Sequence, residues 1–121
     1  MPSKNPALRL RDIIANAGKV VRYIDGRDMV AFFADEKSVD AVERCLQRIS
    51  EAAKKLEEQA EILIPDQDWN GIRGIGNHLR HGYDGLDDYL LWQAIQGCSS
   101  LAEDCRKALE TIGNPKDQGG A

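Results

Sequence analysis

The sequence predicts an all-α protein, an antiparallel bundle of about four main helices accompanied by one short helix. Apolar residues recur at three- and four-residue intervals in three long segments, which is typical of helices that bury one face. Capping residues and pairs containing Pro or Gly separate these segments. The apolar run at 29–35, MVAFFAD, has no second strand to pair with, so we interpret it as a short helix or turn. A chain of 121 residues suits a single domain, with about 114–121 as a flexible tail.

The first long helix is predicted to begin at Asn5 and Pro6, because an N-cap residue is followed by proline at the first helical position. Its apolar residues keep helical spacing as far as Ile24. Asp25 and Gly26 then provide a stop signal.

The second long helix has Asp35 or Ser38 as its cap and carries the clearest apolar stripe of the chain. That stripe comprises Val39, Val42, Leu46, Ile49, Ala53, Leu56 and Ala60. We interpret the charged run at 54–58, KKLEE, as a solvated face with pairing along the helix rather than a binding patch.

The last long helix is predicted from Leu86 to Ile112, where Gly113, Asn114 and Pro115 end it. Its buried stripe comprises Leu91, Ile95, Cys98, Leu101, Ala102, Cys105, Ala108 and Ile112. The spacing thus predicts one uninterrupted helix that crosses Gly97.

Composition narrows the class of protein. The formal net charge of −4 argues against a protein that binds nucleic acid through bulk charge, so any such contact is expected to be local. No apolar run reaches the length of about 18 residues that spans a membrane, and the N-terminus lacks the pattern of a signal peptide. The three cysteines lack the spacing of metal ligands and read as reduced core residues. We therefore expect a soluble cytoplasmic protein without metal or cofactor.

The stretch at 69–83, WNGIRGIGNHLRHGY, differs from the rest of the chain. It contains both histidines, together with Arg73 and Arg80, and no Asp or Glu. A local positive patch therefore stands against an acidic background. The stretch also holds four glycines, each of which costs a helix interior roughly 0.5–1 kcal/mol relative to alanine. Such a segment usually needs a bend, a close backbone approach or a ligand.

On a helical wheel, this stretch separates into two faces. The apolar stripe comprises Ile72, Ile75, Leu79 and Tyr83. The polar face, on nearly the opposite side, holds Arg73, Asn77, Arg80 and the following Asp84 within an arc of about 60°. His81 lies beside Asn77, whereas His78 lies further round and is interpreted as an exposed bystander.

These groups suit the chemistry of a phosphodiester. Guanidinium groups donate to phosphate oxygens in pairs, and an imidazole exchanges a proton near neutral pH. RNA carries its own nucleophile, the 2′-hydroxyl, so a ribonuclease needs only a proton-transfer group and cationic stabilisers. Metal-assisted hydrolysis is disfavoured because the stretch has no carboxylate before Asp84. The alternative is that these residues are ordinary polar surface groups on a helix.

The pattern W-x-x-I-x-G-I-x-N-x-L-x-H-x-Y in this stretch resembles the HEPN domains of the HepT-like group. The resemblance extends to the first helix, to the RISEAAKKL segment of the second and to the LDDYLLW start of the last. It implies an all-α bundle and a homodimer that brings two motif helices together. It also implies a toxin that cleaves RNA without metal and is paired with an MNT-type nucleotidyltransferase antitoxin. In some members, that partner silences the toxin by attaching AMP to a tyrosine.

Carried over by position, the resemblance implies that His81 is the catalytic histidine, that Asn77 is the polar residue of the motif and that Tyr83 is the tyrosine open to AMPylation. One position departs from the family. Gly76 stands where the family usually has an arginine, immediately before Asn77. We therefore expect Arg73, or Arg80 across the dimer, to supply the missing guanidinium.

Two functions remain open at this point. The first is a metal-independent RNA endonuclease toxin in which Arg73, Asn77, Arg80 and His81 form the catalytic site. The second is a non-catalytic helical binding module that docks a nucleotidyltransferase, with Tyr83 as the substrate of that partner. The glycine at position 76 favours the second.

Overall fold

The computed structural model describes residues 5–80 and 88–113. Over these residues the chain is helical and contains no strand, so the predicted all-α fold class is confirmed. The helices are α1 (Pro6–Ile24), α2 (Met29–Phe33), α3 (Glu36–Leu56), α4 (Glu58–Leu63), α5 (Trp69–Arg80), α6 (Asp88–Gln96) and α7 (Cys98–Gly113). The predicted tail at 114–121 and the helix start at Leu86 lie outside the described residues.

Helix α1 has the ends that the sequence predicts. The side chain of Asn5 accepts a hydrogen bond from the backbone N–H of Leu8 at 3.0 Å, and Pro6 is the first helical residue. At the other end, Asp25 takes a left-handed conformation with φ of 52°.

The apolar run at 29–35 forms the short helix α2 rather than a strand, as predicted. Asp28 caps it by accepting from the backbone N–H of Ala31 at 2.8 Å. Phe32 is fully buried, and its ring lies 5.8 Å from that of Trp92, centroid to centroid. Helix α2 therefore packs against α6 through Phe32.

The predicted second long helix is interrupted, and the prediction that it continues through Ala60 is wrong. Asp35 caps α3, but Glu57 adopts φ of 50° and separates α3 from α4. A positive φ in a sparsely populated backbone region costs a residue other than glycine about 1–3 kcal/mol. The backbone carbonyl of Glu57 accepts a hydrogen bond from Arg73 at 2.7 Å, a contact that favours this turn.

The predicted last helix is also interrupted, because α6 and α7 meet at Gly97. Gly97 donates to the carbonyl of Gln93 at 3.1 Å, and Leu101 donates to the carbonyl of Gly97 at 3.0 Å. Hydrogen bonds of helical spacing thus continue on both sides, and the break is a local one. Glycine is a poor helix former, which accounts for the position of the break.

The core lies between α1, α3 and α7, and α5 packs against α3. The predicted stripes of α3–α4 and α6–α7 are buried, except that Val39 and Ile112 are half-buried. All three cysteines are free and buried, and burial raises the pKa of the Cys98 and Cys105 thiols to about 12. No helix among the described residues is both long and apolar enough to cross a membrane.

Candidate functional site

Helix α5 is anchored in the core at its first residue. Trp69 is 2% exposed, and its indole N–H donates to the carbonyl of Ile64 at 2.7 Å. The carboxylate of Asp68 accepts from the backbone N–H of Gly71 at 3.1 Å and caps the helix. A core residue and a cap thus fix where α5 begins, which sets the directions of the described side chains of this helix.

Gly76 lets α5 approach α3 closely. It is buried, and a Cβ atom placed on it would lie 2.8 Å from the Cβ of Ser50. The hydroxyl of Ser50, itself fully buried, donates to the carbonyl of Arg73 at 2.9 Å. A larger residue at position 76 would therefore force the two helices apart, which is a packing reason for glycine at this position.

Arg73 lies against α3 and α4, so the part of the polar face that it occupies is covered by these helices, which the helical wheel does not predict. Its guanidinium donates to both carboxylate oxygens of Glu61, at 2.7 and 2.9 Å. It also donates to the carbonyls of Glu57, at 2.7 Å, and Ala53, at 3.4 Å. The side chain is 21% exposed. Wheel geometry missed this because the turn at Glu57, which brings Glu61 within reach, is not visible in the periodicity of α5.

The ion pair changes the titration of both partners. The hydrogen bonds from Arg73 lower the pKa of the Glu61 carboxyl, and the same contacts raise the pKa of the guanidinium. Both groups are therefore charged at neutral pH and committed to each other. Besides its predicted role in RNA cleavage, Arg73 therefore has a structural role, because it joins α5 to α4.

Asn77 is exposed, as the wheel predicts, and it has an unforeseen neighbour. The ammonium group of Lys54, on α3, donates to the side-chain oxygen of Asn77 at 3.2 Å. The same ammonium group lies 3.7 Å from a carboxylate oxygen of Glu51. The charged run at 54–58 predicts a solvated face for Lys54, and no spacing rule connects it with Asn77, 23 positions further along the chain.

The apolar stripe of α5 packs as predicted over the part that is described. Ile72, Ile75 and Leu79 are half-buried against the core. The first two line a cavity of about 540 Å³, together with Leu90 of α6 and residues of α3 and α7. His78 is exposed at the edge of this cavity.

The remaining predicted site residues are only partly visible. Arg80 is the last residue of α5, and nothing beyond its backbone is described. His81 and Tyr83 lie outside the described residues. Their predicted roles, and that of the Arg80 side chain, stay predictions.

The chain is thus an all-α protein whose motif helix, α5, packs on α3. Comparison with known proteins assigns it to a family. Residues 13–109 match the family model described as "Ribonuclease HepT-like". The match covers most of the chain, which therefore belongs to the HepT-like ribonuclease family, of the HEPN type.

Named relatives agree with this assignment. The chain is 30% identical over 112 residues to the Methanocaldococcus jannaschii protein named "Putative RNase MJ0127", which covers 93% of this chain and 91% of that protein. It is 32% identical over 65 residues to the Thermococcus cleftensis protein named "Probable ribonuclease HepT", over 54% of this chain and 59% of that one. No solved structure gave a significant match.

Proposed function

We propose that this protein is a metal-independent RNA endonuclease of the cytoplasm that acts as a homodimer. In this proposal it is the toxin of a toxin–antitoxin pair, and a nucleotidyltransferase antitoxin neutralises it. The observation that carries the proposal is the family match over residues 13–109, because this range includes the whole acid-free stretch with Asn77 and His81.

In the proposed reaction, the 2′-hydroxyl of the substrate attacks the adjacent phosphorus, and the bond from phosphorus to the 5′-oxygen breaks. His81 exchanges the proton that passes from the attacking to the leaving oxygen. Asn77 donates from its amide to the phosphate. Arg80 stabilises the charge that develops on the phosphoryl oxygens. Arg73 is held by Glu61, so its contribution is to fix the position of α5.

The proposed dimer is formed by the apolar side of α5. Ile72 and Ile75 leave a cavity of about 540 Å³ between α5 and the α6–α7 segment. Gly74 lies along this side, and a Cβ atom placed on it would meet no atom within 4 Å. Small residues beside an open apolar surface permit the close approach of a second helix, here α5 of a second copy.

The decisive test is an RNA cleavage assay with EDTA present, in which wild type is compared with His81→Ala. His78→Ala is the matched control, because it removes an imidazole from the same stretch at an exposed position. Helicity and particle mass of the three proteins are matched first. We expect cleavage by wild type and His78→Ala, with a fragment that carries a 5′-hydroxyl, and none by His81→Ala. Equal cleavage by wild type and His81→Ala would overturn the proposal.

One observation favours a second candidate, the non-catalytic module that docks a nucleotidyltransferase. Gly76 packs on Ser50 and Arg73 is paired with Glu61, so neither of these two positions presents an unpaired guanidinium. In this version, Tyr83 is modified with AMP by the partner. Co-expression with an MNT-type nucleotidyltransferase, followed by mass spectrometry of wild type and Tyr83→Phe, tests it. An unmodified Tyr83 counts against this version.

A further inference from the structure

Lys54 is the cation that the fold places beside the predicted motif residue Asn77. It extends from the C-terminal part of α3, and its side chain is 31% exposed. Its ammonium group donates to the Oδ1 atom of Asn77 at 3.2 Å. Because the oxygen of the amide is taken by this bond, the Nδ2 donor of Asn77 is the half of the amide that remains for another partner.

The ammonium group of Lys54 also lies near Gly76. A Cβ atom placed on Gly76 would lie 3.9 Å from the Nζ atom of Lys54. The ammonium group therefore lies close to α5 at position 76. The ammonium group of Lys54 thus places a positive charge beside α5 at position 76, where the residue itself carries none.

Lys54 is also less committed than Arg73. The guanidinium of Arg73 makes two hydrogen bonds to the Glu61 carboxylate and two to backbone carbonyls. Among the described residues, the ammonium group of Lys54 makes one hydrogen bond, to Asn77, and a longer ion pair of 3.7 Å to Glu51. An ammonium group has three N–H donors, so Lys54 keeps donors for an anion.

We infer that Lys54 and Asn77 together form a phosphate-binding site for the RNA backbone, with Lys54 supplying the charge and the Nδ2 atom of Asn77 a directed hydrogen bond. The inference deepens the proposed function and rests on it for the identity of the ligand. Lysine binds phosphate as a point charge, so the contact should be sensitive to salt. A charge on α3 that serves a motif on α5 also explains how a chain with glycine at position 76 would retain RNA.

The test uses Lys54→Met, with Lys55→Met as the matched control, because Lys55 is the exposed neighbour on the same helix. Binding of a fluorescent single-stranded RNA of mixed sequence is measured by anisotropy in a His81→Ala background, which is expected to prevent cleavage. We expect Lys54→Met to raise Kd about tenfold, a loss of about 1.4 kcal/mol. The slope of log affinity against log salt should fall by about 0.7, the value for one phosphate contact of a single strand.

Three further variants separate charge from packing. Lys54→Arg keeps the charge and should retain binding within about threefold, whereas Lys54→Gln keeps a hydrogen-bond donor without charge and should behave like Lys54→Met. The double variant Lys54→Met, Asn77→Ala should lose little more RNA affinity than either single variant, because the two residues act as a unit. Thermal unfolding of each variant confirms that the fold is intact.

The outcomes distinguish this inference from the proposed function. If Lys54→Met binds RNA as Lys55→Met does, the inference is overturned, even when wild type with His81 intact cleaves RNA. If wild type binds RNA through Lys54 but does not cleave it, the inference stands and the endonuclease proposal fails. If the His81→Ala protein and wild type both fail to bind RNA, both are overturned.

Discussion

Arg73 and Glu61 form a two-point ion pair that joins α5 to α4, with nitrogen–oxygen distances of 2.7 and 2.9 Å. The same guanidinium donates to the carbonyls of Ala53 and Glu57, at the C-terminal end of α3. Backbone carbonyls at a helix C-terminus lack partners within the helix and attract positive charge. Arg73 therefore caps α3 and holds the turn at Glu57 in addition to any contact with RNA.

Replacement of Arg73 with alanine should lower the free energy of unfolding by about 1–3 kcal/mol, because it removes the hydrogen bonds that the guanidinium donates to two backbone carbonyls and to the Glu61 carboxylate. Urea unfolding monitored by circular dichroism measures this loss. Arg106→Ala is the control, since Arg106 pairs with Glu103 on one exposed helical face. We expect that change to stay within about 0.5 kcal/mol. Equal stabilities of the two variants would show that the Arg73 contacts contribute nothing to the free energy of unfolding. The guanidinium would then be assigned to RNA binding alone.

Two glycines of α5 should respond to alanine in opposite ways. Gly76→Ala should destabilise the protein by about 1–3 kcal/mol, because its Cβ would lie 2.8 Å from the Cβ of Ser50. Gly74→Ala should stabilise the isolated subunit by up to about 1 kcal/mol, because its Cβ meets open space and alanine favours a helix. Thermal unfolding of both variants, with particle mass checked by sedimentation, provides the comparison.

A compensating variant tests the cause of the Gly76 effect. Ser50→Gly removes the atoms that a side chain at position 76 would meet, so its addition to Gly76→Ala should recover part of the lost stability. Without such recovery, contact with Ser50 is not the reason for glycine at this position.

Acid should weaken the start of α3 through Asp35. The hydroxyl of Ser38 and the guanidinium of Arg27 lower the pKa of this carboxyl from 3.8 to about 2. A pKa that is lower in the folded than in the unfolded protein contributes stability that is present above the unfolded value of 3.8 and is lost as the pH falls to about 2. Between these limits, the melting temperature of wild type should fall more steeply than that of Asp35→Asn. Parallel curves would contradict the assignment.

Much of the fold was predictable because it depends on local patterns. The N-cap at Asn5, the left-handed stop at Asp25 and the buried stripe of α3 follow from residue type and three- and four-residue spacing. The breaks at Glu57 and Gly97 were not predicted, because the apolar spacing continues across both. The break at Glu57 is accompanied by a tertiary contact with Arg73, and no residue pattern near Glu57 predicts the break.

The sequence by itself determined that this is an all-α chain with one acid-free polar stretch, since helix periodicity and charge composition are properties of neighbouring residues. Only the tertiary structure decided which cationic side chains lie beside the residues of that stretch. It turned Arg73 towards Glu61 and brought Lys54 to Asn77 across 23 residues. Both outcomes depend on how α5 crosses α3 at Gly76 and Ser50, and the crossing of two helices is set by close packing between them rather than by the spacing within either one.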